Sequence, residues 1–526
     1  MYNKTILSVK GLSVTFTNQE VVHQISFSVS ENQIVGIVGE SGSGKSITSL
    51  AIVGLLPQSA EVSGEIIFDG KNYSSLSHKE WQQVRGKEIG FVFQEPMSSL
   101  NPTMKCGKQV AEVLSQHTSL SKEEIKSEVL QLFKQVKIDP ERSYQSYPHQ
   151  LSGGQKQRVM IAMAMACKPK LLIADEPTTA LDSSVQKEII SLLKEIQKEN
   201  KMSVLFISHD LALVSEISDE VIVMYQGNIV EKSDAKSVFY SPKHIYTKAL
   251  LSSRPKAKEQ LRRLPTIYDF MNQSFVKEYI SEDEKQNRLK KLYQKQPILS
   301  IENIDKQYFL NHSIFSKKKV INVLRNFSLQ VYEGETIGLI GASGCGKTTL
   351  GRIIVQLEKA TSGKVIYKGK NINNLSHNDL QFIRKDIQFI FQDPYSSLNP
   401  MKKIGEAILE PMKVYQLYTN DSQRKEKVIE ILERVGLKSS DFEKYPNEFS
   451  GGQRQRIGIA RALALQPKII ICDEVVSALD ISAQAQVLNL LNELKEDFQL
   501  TYIFISHDKE VVDYMSCLLY TSDAAD

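Results

Sequence analysis

The glycine-rich stretch at residues 39–46, with the sequence GESGSGKS, constrains the fold of this chain more than any other feature. It follows the apolar run at residues 34–38, so a buried strand is predicted to lead into a turn that opens a helix. Glycines leave backbone N–H groups free to converge on an anion, and the helix N-terminus behind them adds a positive dipole end. The same pattern returns at residues 341–348 (GASGCGKT), after the apolar run 336–340. The sequence therefore predicts two phosphate-binding loops, each for a nucleoside triphosphate.

The residue types in these loops have distinct chemical roles. The lysine, Lys45 or Lys347, is expected to reach the outer phosphates, and the hydroxyl after it, Ser46 or Thr348, to bind Mg²⁺. The remaining predicted phosphate contacts are Gly39, Ser41, Gly42, Ser43 and Gly44 in the first loop and Gly341, Ser343, Gly344, Cys345 and Gly346 in the second. A thiol at a helix N-terminus is expected to be reactive, so a thiol reagent should inactivate the second site through Cys345.

Composition excludes several classes of protein. The chain of 526 residues has room for more than one domain, and its formal charge of +4 is too small to predict a general affinity for nucleic acid. Five scattered cysteines without a C-x-x-C pair predict a reducing compartment and no disulfide, zinc or iron–sulfur site. The N-terminus does not resemble a signal peptide, and no run of about 18 apolar residues occurs, so any membrane role is expected to be peripheral.

A set of short motifs beyond the two loops also occurs twice. The pairs are Gln94 in FQEP and Gln392 in FQDP, LSGGQ at 151–155 and FSGGQ at 449–453, LLIADE at 171–176 and IIICDE at 469–474, and SHD at 208–210 and 506–508. The same 298 positions separate the members of every pair, which predicts two copies of one domain rather than two sites on one domain.

Each copy alternates short apolar runs rich in β-branched residues with helical patterns, which predicts a mostly parallel α/β sheet. Between the glutamine and the SGGQ run the periodicity is purely helical, which predicts an inserted helical subdomain. Its apolar face is expected at Ile125, Val129, Leu132, Phe133 and Val136 in the first copy and at Val428, Ile431, Leu432 and Val435 in the second. We place the first domain at residues 1–251, a charged linker with a local helix near 281–292 at residues 252–297, and the second domain at residues 298–526.

The two copies stop matching after Ser218 and Ser516. The first copy continues with a predicted β-hairpin at residues 219–230, with Gly227 and Asn228 at its turn. The second copy has only residues 517–526 at this point, so we expect the second domain to be truncated at its C-terminal end.

In this order and spacing, the motifs resemble those of the ATP-binding cassette (ABC) ATPases over nearly the whole chain. The resemblance implies two P-loop domains, each with a mostly parallel sheet core, an inserted helical subdomain and an antiparallel β part, and it implies ATP and Mg²⁺ as cofactors. The implied metal ligands are Ser46, Gln94 and Asp175 in the first site and Thr348, Gln392 and Asp473 in the second. The implied catalytic residues are Glu176, His209 and Gln94 in the first site and Glu474, His507 and Gln392 in the second. A carboxylate at the end of a buried strand, beside one committed to metal, is also well placed to orient water on chemical grounds alone.

The SGGQ run of this family closes over the nucleotide of the opposite subunit. The resemblance therefore pairs the first phosphate loop with Ser450, Gly451, Gly452 and Gln453, and the second with Ser152, Gly153, Gly154 and Gln155. Two copies on one chain make that closure intramolecular. Phe16 and Tyr308 lie where relatives stack an aromatic ring on adenine, although core packing explains these two residues equally well.

Three further stretches narrow the expected function. Residues 94–102, 392–400 and 242–251 look like segments of the ATPases of dipeptide, oligopeptide and nickel transporters. The resemblance implies an ATPase that powers peptide uptake from the cytoplasmic face of the cell membrane. Its implied partners are integral membrane permease subunits and an extracytoplasmic substrate-binding protein, with no nucleic acid. The alternative is a soluble tandem-cassette ATPase acting on ribosomes or nucleic acid, for which the connector is shorter and less basic than expected.

Overall fold

The computed structural model divides the chain into two compact units. The first consists of Met1–Ser252 with Ile267–Ser274, and the second of Ser253–Thr266 with Phe275–Asp526. The structure describes residues 4–179, 181–256, 261–272, 275–310, 319–342, 344–393, 397–516 and 518–521. Within these ranges no helix has both the length and the apolar content that are needed to cross a bilayer.

The first unit combines two sheets with a group of helices. Its elements are β1 (Thr5–Phe16), β2 (Gln19–Ser30), β3 (Ile34–Val38), α1 (Lys45–Ile52), β4 (Ala60–Phe68), β5 (Lys71–Asn72), α2 (His78–Val84), β6 (Ile89–Val92), α3 (Pro96–Ser99), α4 (Cys106–His117), α5 (Lys122–Gln135), α6 (Pro140–Gln145), a 3₁₀ turn (Pro148–Gln150), α7 (Gly153–Met165), β7 (Leu171–Asp175), α8 (Ser183–Asn200), β8 (Ser203–Ile207), α9 (Leu211–Ile217), β9 (Glu220–Tyr225), β10 (Asn228–Asp234), α10 (Ala235–Tyr240), α11 (Ile245–Ser252) and α12 (Ile267–Met271).

The larger sheet of the first unit carries the predicted site. Its order is β10-β9-β3-β8-β7-β6, and all its pairs are parallel except β9 with β10. Strands β3, β7 and β8 are buried along their whole length, as expected of continuous apolar runs in a parallel sheet covered on both faces. The carboxyl ends of these three strands lie at one edge of the sheet, where the loops that follow them meet. A separate antiparallel sheet has the order β2-β1-β4-β5.

The helices inserted between β6 and β7 bury the face that their periodicity predicts. Ile125, Val129, Leu132 and Phe133 are buried on α5, and Val136 is buried just after it. Ser121 begins α5 with a capping box, in which its hydroxyl accepts from the N–H of Glu124 and its own N–H donates to the Glu124 carboxylate. The predicted helical insertion is confirmed in this unit.

The second unit repeats the same plan. Its elements are α13 (Glu282–Leu292), β11 (Leu299–Leu310), β12 (Lys319–Val331), β13 (Thr336–Ile340), α14 (Lys347–Ile354), β14 (Ser362–Tyr367), β15 (Lys370–Asn371), α15 (His377–Asp386), β16 (Ile387–Ile390), α16 (Ile404–Val414), α17 (Asp421–Arg434), two 3₁₀ turns (Ser439–Glu443 and Pro446–Glu448), α18 (Gly451–Leu463), β17 (Ile469–Asp473), α19 (Ile481–Phe498), β18 (Thr501–Ile505), α20 (Lys509–Met515) and β19 (Leu518–Thr521).

The parallel sheet of the second unit has the order β16-β17-β18-β13-β19, beside an antiparallel sheet β12-β11-β14-β15. Strand β19 runs parallel to β13, with Leu518 opposite Ile337, and so takes the place that β9 holds beside β3 in the first unit. The apolar face predicted for the inserted helices is buried here too, at Val428, Ile431, Leu432 and Val435. The mostly parallel core with a helical insertion and an antiparallel part is therefore present in both units.

The predicted hairpin in the first unit is confirmed, but its turn lies one residue earlier than expected. Tyr225 pairs with Asn228 in the β9–β10 ladder, so the two-residue loop is Gln226-Gly227 and Asn228 begins the returning strand. Both loop residues have positive φ, 45° and 76°. This is the backbone that a two-residue hairpin loop of the primed type requires.

The segment predicted as a charged linker contains more packed structure than its composition suggests. The expected local helix is present as α13, and the Ser281 hydroxyl caps it by accepting from the N–H of Glu284. Leu264 is only 1% exposed and belongs to the apolar core of the second unit. Residues 253–266 therefore form part of that unit.

Candidate functional site

The first phosphate loop connects β3 to α1. Its backbone needs glycine at both ends, because a Cβ on Gly39 would lie 2.2 Å from the carbonyl oxygen of Met224, and Gly44 caps α1 with φ of 97°. Lys45 is buried, and its Nζ donates to the carbonyl oxygens of Gly39 and Glu40, each at 2.8 Å. The other predicted contacts of this loop lie between β3 and α1: Ser41, Gly42 and Ser43. The ammonium group is thus held at the mouth of a loop built to surround an anion.

The second phosphate loop has the same form between β13 and α14. Gly346 caps α14 with φ of 99°, and Lys347 Nζ donates to the carbonyl oxygens of Gly341 at 2.6 Å and Ala342 at 3.0 Å. Gly344 also has positive φ, 81°. Ser343, a predicted phosphate contact, lies outside the described residues.

Cys345 distinguishes the second loop from the first. Its Sγ lies 3.8 Å from Lys347 Nζ, where the first loop has the hydroxyl of Ser43 at 3.5 Å from Lys45 Nζ. Its thiol is partly exposed, whereas Cys106 and Cys472 are buried. The structure therefore leaves this cysteine open to small reagents.

The predicted metal ligands pair up in both units. The Ser46 hydroxyl donates to Asp175 Oδ1 at 3.0 Å, and the Thr348 hydroxyl donates to Asp473 Oδ1 at 3.0 Å. Burial, together with the neighbouring glutamate charge, raises the pKa of each aspartate to about 6. A hydroxyl and a carboxylate are hard oxygen ligands, and Mg²⁺ in nucleotide sites takes only one or two such protein ligands besides the phosphates. The residues present therefore fit Mg²⁺.

Glu176 is the meeting point of the first site. Its carboxylate Oε2 accepts from Gln94 Nε2 at 3.0 Å and from the Thr179 hydroxyl at 2.9 Å, and it lies 3.1 Å from His209 Nδ1. Burial alone would raise the pKa of Glu176, but the hydrogen bond and charge of His209, with the charge of Lys45, outweigh burial and lower it to about 2. The glutamate is therefore an ionised acceptor placed between a histidine, an amide and the phosphate loop.

Glu474 occupies the same place in the second site. Its Oε2 accepts from Gln392 Nε2 at 2.7 Å, and its Oε1 lies 3.4 Å from His507 Nδ1. Glu176 and Glu474 both have left-handed backbone, with φ of 48° and 49°, and their N–H groups donate to Ile207 and Ile505 at the ends of the next strands. This uncommon backbone is held at the same point in both units, as is typical of residues whose side-chain direction matters.

The two histidines have the same electrostatic bias. Burial would lower the pKa of His209, but its hydrogen bond to Glu176 and the charge of that carboxylate raise it overall. The hydrogen bond to Glu474 likewise raises the pKa of His507, against burial. A histidine that is readily protonated beside a phosphate-binding loop is suited to contact a negatively charged phosphate.

The two SGGQ runs form identical helix starts. The Ser152 hydroxyl accepts from the N–H of Gln155, while the Ser152 N–H donates to Gln155 Oε1 at 3.0 Å. Ser450 and Gln453 form the same capping box at the start of α18. Gly153, Gly154, Gly451 and Gly452 occupy the first turns of α7 and α18. Ser152 and Ser450 are exposed. Each run therefore presents a helix N-terminus that could face an anion.

The two candidate adenine-stacking residues have different surroundings. Phe16 is half-buried and packs against the apolar core of the first unit. Tyr308 is 37% exposed, and its hydroxyl donates to Glu358 Oε1. Lys306 Nζ lies 3.0 Å from that carboxylate and 4.8 Å from the centre of the Tyr308 ring. The second aromatic is thus held by charged neighbours and the first by apolar packing.

Sequence reasoning missed some residues that the structure brings to these sites. Thr179 was not predicted, although it follows Glu176 by one helical turn and recurs as Ser477 in the 298-residue register. The signal was therefore present in the repeat. Ser477 differs in its contact, because its hydroxyl donates to the backbone carbonyl of Glu474. Lys306 and Glu358 are far apart in sequence and gave no such signal.

Each unit thus defines a P-loop nucleotide-binding site with a glutamate, a histidine and a glutamine beside the loop. Comparison with known proteins agrees with this class: the profile of the ABC transporter family matches residues 22–179 and 324–477. The glutathione import ATP-binding protein GsiA of Escherichia coli O6:H1 is 42% identical over 97% of this chain and 84% of its own length. The protein of the same name from Salmonella typhimurium is 42% identical over 98% of this chain and 84% of its own.

A solved dimeric ATP-binding cassette in a post-hydrolysis state, bound to ADP and Pi, is 29% identical over 44% of this chain and 99% of its own, with a TM-score of 0.40. The family assignment rests on the family profile and on the two relatives that match nearly the whole of this chain. This chain belongs to the ABC transporter family. It is an ATPase with two ABC domains, so the predicted family, fold class and ATP-hydrolysing activity are confirmed.

Proposed function

We propose that this protein powers the uptake of small peptides, with glutathione as the first substrate to test, from the cytoplasmic face of the cell membrane. The observation that carries this proposal is the 42% identity, over 97% of the chain and both ABC domains, to a protein named as a glutathione import ATP-binding protein. Integral membrane permease subunits would supply the pathway. An extracytoplasmic binding protein would deliver the substrate, since this chain itself would not contact it.

The loop geometry supports a role in phosphate binding. Lys45 and Lys347 would exchange their carbonyl partners for the outer phosphates, and the backbone N–H groups of each loop would hold the remaining oxygens. Ser46 with Asp175, and Thr348 with Asp473, would hold Mg²⁺, which supplies positive charge to the β- and γ-phosphates. Gln94 and Gln392 are the further proposed ligands or sensors of this ion.

Hydrolysis needs a group that orients water in line with the outer phosphate. Glu176 and Glu474 fit this role because each carboxyl group follows a buried strand, lies directly after the aspartate and accepts from the neighbouring glutamine. His209 and His507 contact these carboxylates and would donate to the γ-phosphate. Loss of the contact between the histidine and the γ-phosphate after hydrolysis would let the glutamate and the histidine separate from the product.

We further propose that each nucleotide-binding site is completed by the SGGQ run at the start of a helix of the other domain. The exposed capping boxes of Ser152 and Ser450 support this, since an exposed helix N-terminus is a ready anion site. Phe16 and Tyr308 are the proposed adenine platforms. Closure on two ATP molecules and opening after hydrolysis would transmit force to the permease.

Co-purification from membranes tests the transport proposal. A tagged chain should bring down integral membrane permease subunits, and vesicles holding the complex and its binding protein should accumulate labelled glutathione only with ATP. The Glu176→Gln, Glu474→Gln chain is the matched control, expected to bind the same subunits without accumulation. Recovery of ribosomal particles instead of permeases would favour the nucleic-acid-linked alternative and refute the proposal.

A further inference from the structure

The described residues 253–256 and 261–266, called here the docked segment, are anchored in the second unit by a buried amide. Leu264 lies in the apolar core, its N–H donates to Asn489 Oδ1 at 2.8 Å, and its carbonyl accepts from Asn489 Nδ2 at 2.8 Å. Asn489 is 5% exposed and lies on α19. The side-chain amide of Asn489 thus pairs with both the N–H and the carbonyl of Leu264. This pair of hydrogen bonds fixes the position of Leu264 and also stabilises it.

Helix α20 is joined to the same anchor. The hydroxyl of Tyr514 donates to Asn489 Oδ1 at 3.3 Å. Burial raises the pKa of Tyr514 to about 12, against hydrogen bonds to Asn492 and Leu264 that lower it, so the hydroxyl remains a donor across the physiological range. Asn489 therefore connects the docked segment to α19 and α20 together.

Arg254 adds a second attachment at the other end of α20. Its Nε lies 3.0 Å from Glu510 Oε2, and its Nη2 lies 3.9 Å from Asp508 Oδ2. Asp508 begins the helix, since its Oδ1 accepts from the N–H groups of Glu510 at 2.9 Å and Val511 at 3.4 Å. Asp508 is also the residue directly after His507, so Arg254 holds the backbone that carries the candidate phosphate-contacting histidine.

The first unit lacks three of the four residues of α19 and α20 that make these contacts; only Asp508 has a counterpart, Asp210. In the 298-residue register, Asn489 corresponds to Ser191, Glu510 to Ala212 and Tyr514 to Glu216. Ser191 is exposed and donates to Glu195 on its own helix. The attachment is therefore a property of the second unit and not of the domain type.

We propose that the docked segment is a positioning element of the second ATP site: Arg254 holds the start of α20, and Asn489, which binds Leu264, holds its end through Tyr514, so that His507 reaches the γ-phosphate. This rests on the proposed role of His507. The two ATP sites then differ in what controls them. The position of His507 at the second site depends on the docked segment, whereas the first unit has other residues where Asn489, Glu510 and Tyr514 would be needed to hold His209 in this way.

The test compares ATP and ADP binding in the full chain carrying Glu176→Gln and Glu474→Gln, so that ATP is not consumed. A γ-phosphate contact affects ATP and not ADP, which a merely structural role of Arg254 would not reproduce. Arg254→Gln, and separately Glu510→Ala, should weaken ATP binding about threefold or more while leaving ADP affinity within about twofold. Arg262→Gln is the matched control, because Arg262 pairs with Glu284 at 2.8 Å and not with α20. Equal weakening of ATP and ADP, or no weakening in either variant, would overturn the proposal.

A double-mutant cycle then identifies the histidine involved. If Arg254 acts through His507, Arg254→Gln should add less than about a twofold loss of ATP affinity when His507→Ala is present. It should keep its full effect beside His209→Ala. Additive losses with His507→Ala would overturn this inference but leave the assigned role of His507 standing. Unchanged ATP affinity in His507→Ala itself would overturn both the assigned role of His507 and this inference.

Discussion

Glu176 contacts side chains that come from three different parts of the chain. Gln94 comes from the end of β6, Thr179 from the loop after β7 and His209 from the end of β8, yet all three contact the same carboxylate oxygen. The sequence predicted three of these four residues, since each follows an apolar strand and recurs 298 positions later. It could not predict the left-handed backbone of Glu176, which depends on the hydrogen bond from its N–H to the carbonyl oxygen of Ile207.

Replacing both glutamates should separate binding from turnover. Glutamine keeps the size of the side chain but removes the charge that orients water, so Glu176→Gln with Glu474→Gln should lower ATPase activity by about a hundredfold or more. ATP affinity, measured with a fluorescent analogue, should remain within about threefold of the unmodified chain. Loss of nucleotide binding would show that these glutamates serve the phosphates rather than the water.

Cys345 gives a chemical handle on the second site alone. A small thiol reagent should label it and reduce ATPase activity, and Mg²⁺ with ATP should protect it, because the thiol lies within the phosphate loop. The Cys345→Ser variant places the residue of the first loop, Ser43, at this position and should be active and insensitive. Full activity after stoichiometric labelling at Cys345, read by mass spectrometry, would contradict the assignment.

The buried aspartates should make the nucleotide-free protein less stable as pH rises. The pKa of Asp175 and of Asp473 is about 6 against an ordinary 3.8, so each contribution is present below the unfolded value and is lost as pH rises through 6. The raised histidine pKa values act in the same direction. Glu176 opposes this only at low pH, because its pKa is about 2 and its contribution is lost as pH falls below the ordinary value of 4.5.

Unfolding in chelator between about pH 5 and about pH 8 measures this effect. We expect a decrease of about 1 kcal/mol for each aspartate over that range, because its folded pKa lies about one unit above the lower pH limit. The Asp175→Asn, Asp473→Asn chain should be flatter by that amount. A slope unchanged by these substitutions would mean that other groups titrate.

At the scale of elements, local rules were sufficient for some features and insufficient for others. The start of α5 at Ser121 and that of α7 at Ser152 follow from capping boxes that can be read in the sequence. The docked segment could not be read in this way, because its two leucines, Leu261 and Leu264, stand among basic residues and are too few to predict a packed element. The partner of Leu264, Asn489, is 225 positions away.

The Leu264 anchor should contribute measurably to stability. Leu264→Ala removes a fully buried side chain from the core of the second unit and should cost about 2–5 kcal/mol in unfolding free energy. Val276→Ala is the control, since Val276 is 74% exposed and should cost less than about 0.5 kcal/mol. Denaturant unfolding followed by fluorescence would compare them, and equal costs would mean that Leu264 is not buried in solution.

At the scale of the whole molecule, we propose that each phosphate loop pairs with the SGGQ run of the other domain. The sequence motifs alone cannot demonstrate this pairing. It can be tested with cysteine pairs in a chain otherwise free of cysteine. Ser41→Cys with Ser450→Cys should form a disulfide or accept a short crosslinker when ATP is bound and hydrolysis is blocked, because the proposed closure joins these loops across one nucleotide. The pair Ser41→Cys with Ser152→Cys is the control and should not crosslink within one chain. A crosslink in the control pair alone would refute the pairing.

The chain alternates between its two units after α11. Ser253–Thr266 belongs to the second unit, Ile267–Ser274 to the first, and the chain then returns to the second. If the gene were divided ahead of Ile298, at the end of the predicted linker, the second protein would lack Leu264. Its core would then contain a gap, and the side-chain amide of Asn489 would lose its two backbone partners. A version encoded as two polypeptides should instead be divided ahead of Ser253, so that the half carrying α20 keeps the peptide that completes it.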